Sequence, residues 1–295
     1  MTSSVQNAAS TPPAAASGAD EIPSLYGPGK TVKRVRTRHL IEAKERGEKW
    51  AMLTSYDQYT AALFDEAGIP ALLIGDSAAN NVYGYETTLQ VSVEELLPLV
   101  AAVARSTQRA LVIADLPFGS YEAGPAQALE TAVRFMKAGA HAVKLEGGRR
   151  MAAQIRALTD AGIPVMAHIG FTPQSEHSIG GYRVQGRDAH AAEIEADAHA
   201  VADAGAFAVV LEMVTSSVAA EITKRLPIPT VGIGAGPETD AQVLVWQDMA
   251  GLRRGRPPRF VKRYADLASV LQDAVKAYAD EVRAGEFPAK EHGFE

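Results

Sequence analysis

The chain has 295 residues, 47% of them hydrophobic but only 6% aromatic, and a net charge of −6. That length suits one α/β barrel, and a core of Ala, Val, Leu and Ile is the filling of helices packed on a parallel sheet. The acidic balance sets aside nucleic acid and anionic membranes, which need a concentrated basic surface, and no basic cluster with interleaved aromatics is read here.

Cysteine is absent. Disulfide scaffolds, thiolate zinc sites and cysteine nucleophiles are therefore excluded, and a metal would have to be held by oxygen or imidazole, which favours Mg²⁺, Mn²⁺ or a related ion. Residues 1–29 are rich in Ala, Ser and Pro and carry no apolar run. They read as a disordered tail rather than a secretory signal or transit peptide. No stretch approaches the roughly 18 apolar residues of a membrane span, and a cytoplasmic location is expected.

Residues 37–47 read as a short helix that could plug a barrel floor. A rhythm follows: a short apolar run, a polar residue, then an Ala-rich amphipathic stretch. The apolar runs start at Ala51, Ala71, Ala110, His141, Pro164, Phe207, Pro229 and Val243, which makes eight candidate strands. Phrases such as AGIPALLI, AGAHAVKL and AGAFAVVL end each preceding helix with a glycine cap and return the chain to the sheet. The predicted helices cover 56–67, 93–105, 127–138, 149–161, 191–204, 217–225 and 265–283, each with an apolar and a polar face. The link between the seventh and eighth strands is too short for a full helix. Continuously apolar strands separated by helices imply a parallel sheet buried on both faces, and closure leaves no free edge. The fold class is an α/β (β/α)₈ TIM barrel forming one domain over 30–295, with a doubly wound open sheet as runner-up.

Catalytic groups of such barrels sit at the carboxyl ends of strands. There the second strand delivers Asp76-Ser77, the third Asp115, the fourth Lys144 and Glu146, the fifth His168 and the sixth Glu212. A lone Asp after a strand is commonly a cap or turn former, but five successive strands with ionisable ends point to a site. Asp76, Asp115 and Glu146 can converge on one Mg²⁺; alternatively the two aspartates cap their loops and Glu146 pairs with Lys144. Lys144 and Glu146, two apart, share the interior face. Neighbouring acids would raise the lysine pKa, favouring capture of an anionic carboxylate over a Schiff base, with a structural ion pair as the plain alternative. His168 is a candidate acid, base, ligand or orienting donor, or a satisfied core histidine. Glu212, after an apolar run, is a candidate proton acceptor of raised pKa, or the partner of a neighbouring Lys or Arg. Gly232 to Gly236 is a weak match to a phosphate-cradling turn, and 172–187 reads as a lid or binding loop.

The ordered phrases LIGDSAANNVYGYETT, ADLPFGSYEAG, AGAHAVKLEGG, AGIPVMAHIGFTPQS, GGYRVQGR, AGAFAVVLE, IPTVGIGAG and QVLVWQDMAG resemble the ketopantoate hydroxymethyltransferase family from about residue 31 onward. The resemblance implies a barrel enzyme that uses Mg²⁺ (Mn²⁺ or Co²⁺ possible) and 5,10-methylenetetrahydrofolate. It would hydroxymethylate 3-methyl-2-oxobutanoate to 2-dehydropantoate, on the way to pantothenate and coenzyme A. It makes Asp76, Asp115 and Glu146 the metal set, Asp76, Ser77, Asp115 and Lys144 the oxo-acid contacts, and Glu212 the proton acceptor. His168 falls at the matching strand end. It also implies a homo-oligomer, of the decamer type. Two departures stand out: Thr239-Asp240-Ala241-Gln242 where the family has Cys-Asp-Gly-Gln, and Glu176-His177 after Pro173-Gln174-Ser175. Rival chemistries are a lyase or phosphonomutase of the phosphoenolpyruvate-utilising barrels, which lack support in the absent cysteine, a Schiff-base aldolase on Lys144, and a non-enzymatic binding barrel.

Overall fold

The computed structural model describes residues 24–26 and 32–294. In chain order the elements are α1 Thr37–Glu45, β1 Trp50–Thr54, α2 Gln58–Glu66, β2 Ala71–Ile74, α3 Val93–Ser106, β3 Leu111–Asp115, α4 Pro125–Lys137, β4 Ala142–Glu146, α5 Ala152–Asp160 and β5 Val165–Gly170. There follow the single turn α6 Glu176–Ile179, α7 His190–Asp203, β6 Ala208–Glu212, α8 Ser216–Arg225, β7 Thr230–Ile233, β8 Ala241–Leu244, the single turn α9 Trp246–Met249 and α10 Leu267–Ala284. The strands form a closed parallel barrel in sequence order, β8 pairing back to β1 through Trp50–Ala241 and Met52–Val243. The glycine caps fall as expected: Gly139 and Gly205 follow α4 and α7 at φ 110 and 96, a region that costs an L residue a steric clash.

Alternation along each strand builds two apolar layers and the site together. Outward residues such as Leu72, Val112, Val143 and Val209 meet the helices, while Met52, Leu73, Ile113, Met166 and Val210 fill the barrel. Continuing the inward series by two residues turns Ile113 into Asp115, Ala142 into Lys144 and then Glu146, Met166 into His168, and Val210 into Glu212. The polar mouth is thus the top layer of the same stack. The floor is shut by α1, whose Leu40 and Ala43 join the interior cluster, as predicted. The predicted tail at 1–29 lies outside the described residues apart from 24–26, where Leu25 is 1% exposed and belongs to that floor cluster.

Two details differ from the sequence reading. The eighth strand starts at Ala241 rather than Val243, because Gln242 points outward and its amide donates to the Gly236 carbonyl and the Thr239 hydroxyl at 2.8 Å each. An apolar-run criterion cannot see a strand that opens on a polar outward residue. The last helix, α10, forms where expected but buries none of its residues; Val270, Leu271, Val275, Tyr278 and Val282 all stand exposed. Among the described residues no helix is long and apolar enough to cross a membrane.

The Thr239-Asp240-Ala241-Gln242 departure sits at the floor end of β8, away from the mouth. Asp240 there ties three elements: its Oδ2 accepts from Lys44 Nζ at 2.8 Å and from the Thr230 amide at 2.8 Å. Asp240→Ala strands both donors in a nearly dry site, so unfolding in urea should show a loss of about 2–4 kcal/mol. A change within 0.5 kcal/mol (about the noise of a surface substitution) would mean the floor does not depend on this tie.

Candidate active site

The strand-end residues do converge. Asp76, Ser77, Asp115, Lys144, Glu146, His168 and Glu212 all line one cavity at the carboxyl end of the barrel, with about 1110 Å³ of space opening to solvent. Lys144 stands at its centre. Its Nζ donates to both oxygens of Asp115, at 2.7 and 2.6 Å, and lies 3.8 Å from Glu146 Oε1. The Asp76 amide donates to Asp115 Oδ2 at 3.2 Å, joining β2 to β3. His168 bridges two carboxylates: Nδ1 lies 3.1 Å from Glu146 Oε1 and Nε2 3.3 Å from Glu212 Oε2. Neither contact is aligned as a hydrogen bond, so the pairing is chiefly electrostatic. Glu212, which has no evident partner in the sequence, therefore pairs with an imidazole rather than with Lys or Arg. Ser77 shares a 2.8 Å hydrogen bond with the hydroxyl of Tyr56.

Sequence reasoning missed the residue that holds this set together. Gln174, buried in the turn after β5, donates through Nε2 to Asp76 Oδ2 at 2.9 Å and to the Leu116 carbonyl at 3.0 Å. Its backbone amide donates to Glu146 Oε2 at 2.9 Å, and its Oε1 accepts from Tyr121 at 2.6 Å. One side chain and its own amide thus position acids from β2 and β4. The start of the expected 172–187 lid is therefore pinned into the site. Further along, Tyr182 stacks on Phe171 at 4.7 Å between centroids and reaches over the cavity. The Gly232–Gly236 turn also acquires a different meaning: a Cβ at Gly234 would meet Phe260 at 2.9 Å and one at Gly236 would meet Ser216 at 2.6 Å. These glycines make room for close-packed side chains.

The electrostatics are those of an acid-rich pocket. Burial, then the charges of Asp115 and Glu146, push Asp76 up to about 8. Burial also raises Asp115, against the pull of Lys144. Burial raises the carboxyl of Glu146 too, but His168 and Lys144 outweigh it and hold this group below its ordinary value. Burial and Lys144 lower the His168 imidazole, yet Glu146 and Glu212 prevail and carry it to about 9. Lys144 is itself driven upward, because its acidic neighbours overcome burial; that favours the charged ammonium over the neutral amine a Schiff base needs.

A family model described as ketopantoate hydroxymethyltransferase matches residues 34–290. The chain belongs to this family. Among curated members, the 3-methyl-2-oxobutanoate hydroxymethyltransferase of Saccharopolyspora erythraea is 69% identical over 276 residues, covering 93% of this chain and 94% of that protein. The enzyme of the same name from a Nocardioides species is 64% identical over 285 residues, covering 96% and 95%. Solved structures with the same barrel include phosphonopyruvate hydrolase in complex with oxalate and Mg²⁺ (TM-score 0.57, 16% identity, 88% of this chain and 93% of that one). Another is 2,3-dimethylmalate lyase (TM-score 0.56, 19% identity, 87% and 91%). At such identities the likeness extends to the fold alone, so it lends no weight to the rival lyase or phosphonomutase chemistry over the family assignment.

Asp76 and His168 both keep protons to higher pH folded than unfolded, so each contributes stability at low pH that is lost as pH rises. The window runs from the ordinary carboxylate value of 3.8 to about 8 for Asp76, and from 6.5 to about 9 for His168. Glu146 works in the opposite sense, but only below 4.5. Thermal melts in chelator should therefore fall from pH 5 to pH 9, by roughly 2–4 °C for each kcal/mol in a chain of this size. Asp76→Asn should flatten the fall, and Gln174→Ala, which strips Asp76 of its donor, should steepen it. A melting temperature that climbs between pH 5 and pH 8 would show that Asp76 is not held protonated.

Proposed function

We propose that this chain is a cytoplasmic hydroxymethyltransferase that moves a one-carbon unit from 5,10-methylenetetrahydrofolate to 3-methyl-2-oxobutanoate, giving 2-dehydropantoate. A divalent cation takes part, Mg²⁺ foremost, with Mn²⁺ or Co²⁺ as substitutes. The observation that carries this reading is the charge imbalance of the mouth: six carboxylates (Asp76, Glu86, Asp115, Glu146, Glu212 and Asp248) line one cavity with only Lys144, Arg253 and His168 to oppose them.

The residues fit a hard cation by the chemistry of their donors. All three proposed ligands are carboxylates, and Glu146 Oε1 is a buried acceptor with no hydrogen bond to satisfy it. Among the described residues no three acids or histidines stand close enough to form a finished cage. An ion there would have to complete its shell with waters and substrate oxygens. Asp76, Asp115 and Glu146 would hold it, and bound there it would supply Lewis-acid polarisation of the oxo group.

The chain's own groups account for the other steps. Lys144 has three N–H donors, of which the two Asp115 oxygens engage two, and the remaining one suits the substrate carboxylate. Ser77, braced by Tyr56, offers a hydroxyl on the same wall. His168, charged at neutral pH, is a poor base but a good neighbour for an ionised carboxylate. Glu212 is the reachable acid: 15% of its side chain is exposed, against 1% for Asp115 and 2% for Glu146. It takes the proton from C3; the carbon nucleophile bonds to the donor's methylene carbon as one of that carbon's two C–N bonds opens, and water then replaces the second nitrogen, giving the hydroxymethyl group while the nitrogens regain protons and tetrahydrofolate leaves. The Tyr182 ring, packed on the buried Phe171 at the edge of the cavity, helps to exclude bulk water.

Self-assembly belongs to the same reading. The helix after the last strand of a barrel ordinarily covers the outer face beside the first. Here α10 stands off with its apolar residues in solvent, while Tyr59 and Leu63 of α2 are likewise uncovered, 74% and 62% exposed. A second copy of the chain is the occupant proposed for both surfaces, since an apolar helix face of this extent is a liability on a lone molecule.

Deuterium exchange at C3 of 3-methyl-2-oxobutanoate, followed by NMR without any folate, tests the chemistry. Wild type with Mg²⁺ should exchange, chelation should stop it, and Glu212→Gln should slow it by about 10²–10⁴-fold while still binding the acid. Exchange at the wild-type rate in Glu212→Gln removes Glu212 from the base role. In sedimentation experiments, Val275→Asp with Tyr278→Asp should yield smaller species than wild type; a wild type already monomeric at micromolar concentration would sink the assembly.

A further inference from the structure

Two carboxylates that line the cavity, Glu86 and Asp248, take no part in the chemistry assigned to its centre. Glu86 is exposed and therefore solvated. Asp248 is not: only 8% of its side chain is exposed. Burial pushes its carboxyl up, and the opposing influences are the charges of Arg253 and Arg263, with no hydrogen bond among them. The nearer cation, Arg253, stays 3.8 Å from Oδ1, beyond hydrogen-bond reach. Neither oxygen is sealed inside protein, so this unpartnered carboxylate opens on the cavity that it lines. A nearly dry acceptor pair without donors is costly to keep, unless a ligand supplies them.

The fold holds Asp248 in place from both sides. It sits on the α9 turn just after β8, where the Trp246 amide donates to Thr54 Oγ1 at the end of β1, at 3.1 Å. The Trp246 indole packs on Phe64 at 6.1 Å between centroids, and the Met249 carbonyl accepts from the Tyr264 amide at 2.9 Å. The turn then leads into a basic run at 253–263, RRGRPPRFVKR, which the whole-chain charge hides. The cavity also carries flat apolar flanks. Ile233, Val245 and Phe260 line it, and the Phe260 ring is packed over Gly234. The Tyr182 phenol feels Glu212 and Asp76 from the centre and Arg253 from the rim, so it spans the space between the proposed base and Asp248.

We infer that Asp248 receives the pyrimidine edge of the reduced-folate donor, one carboxylate oxygen accepting from N3–H and the other from the 2-amino group. The inference rests on the folate reading given above. An ionised carboxylate only accepts, so it has nothing to offer the oxo acid, an anion that carries acceptors alone. The 2-amino-4-oxopyrimidine ring instead presents two parallel N–H donors, the arrangement with which a guanidinium grips a carboxylate. In the donor this edge lies across the fused ring from N5 and N10, which carry the methylene carbon. Anchoring it beside β8 leaves that carbon free to face the centre, with Tyr182 and Phe260 as flanks for the ring.

The test separates the two substrates. Asp248→Asn keeps the shape but sets an N–H against one of the donor's N–H groups. Its KM for 5,10-methylenetetrahydrofolate should rise by roughly 10–100-fold. Folate-free deuterium exchange at C3 of 3-methyl-2-oxobutanoate should still run, since Asp248 does not touch that acid. In calorimetry, wild type should bind tetrahydrofolate more tightly than its 2-desamino-2-methyl analogue by a similar factor, and Asp248→Asn should bind the two alike. A preference that survives in the variant overturns the inference, because a merely structural Asp248 would leave it intact. Equal binding of the two ligands by wild type overturns it too, whether or not the variant folds. So does an unchanged KM, or a loss of exchange alongside the raised KM, which would put Asp248 in the handling of the oxo acid. All of these leave the one-carbon chemistry standing. No turnover of wild type with any reduced folate overturns the donor reading itself, and this inference with it.

Discussion

Everything at the mouth of this barrel depends on keeping like charges together where water is scarce. A pair of carboxylates about 4 Å apart repels by about 4 kcal/mol at an effective dielectric of about 20, and Asp76, Asp115, Glu146 and Glu212 gather at the centre of this cavity. Without a bound cation, the folded chain meets the repulsion with three devices. Lys144 is locked between both oxygens of Asp115. His168 stands charged between Glu146 and Glu212. A proton stays on Asp76 to about pH 8. The third device is the telling one, because a retained proton is what a carboxylate uses when no stronger cation is present.

The barrel makes such an arrangement tolerable by supplying rigidity from below. Beneath Asp115, Lys144, His168 and Glu212 the same strands carry the apolar Ile113, Ala142, Met166 and Val210, and α1 seals the bottom of the stack. The acids therefore cannot relax outward by bending their strands, and repulsion is stored rather than dissipated. Loops complete what strands begin. Gln174 comes from the β5 turn yet fixes Asp76, 98 positions earlier in the chain, and Glu146, 28 earlier. Tyr121 then fixes Gln174 from the β3 loop. The acids are thus oriented by neutral amide and phenol groups, which hold geometry without cancelling charge.

This division explains what could be read from the sequence. Strand-end acids were legible because alternation along a strand is strict: once Ile113 faces inward, so must Asp115. The eight strands were legible for a similar reason; most starts shift by one residue, and the largest shift, two residues at β8, came from Gln242 breaking an apolar run on its outer face. Gln174 was not legible, because a glutamine in a polar turn shows no periodicity, and its partners are set by closure of the barrel rather than by nearby sequence. The helix α10 was legible as a helix, but its amphipathic pattern says only that one face seeks apolar cover, not that the cover lies on its own barrel. The run at 253–263 was legible in principle; averaging charge over the whole chain erased it.

The acid-rich centre also constrains what can enter it. An anionic oxo acid approaching the centre meets carboxylates first, and Lys144 is already committed to Asp115, so free acid is disfavoured there until positive charge is added. On the proposed chemistry a cation held by Asp76, Asp115 and Glu146 would supply that charge, and the remaining N–H of Lys144 would then receive the substrate carboxylate.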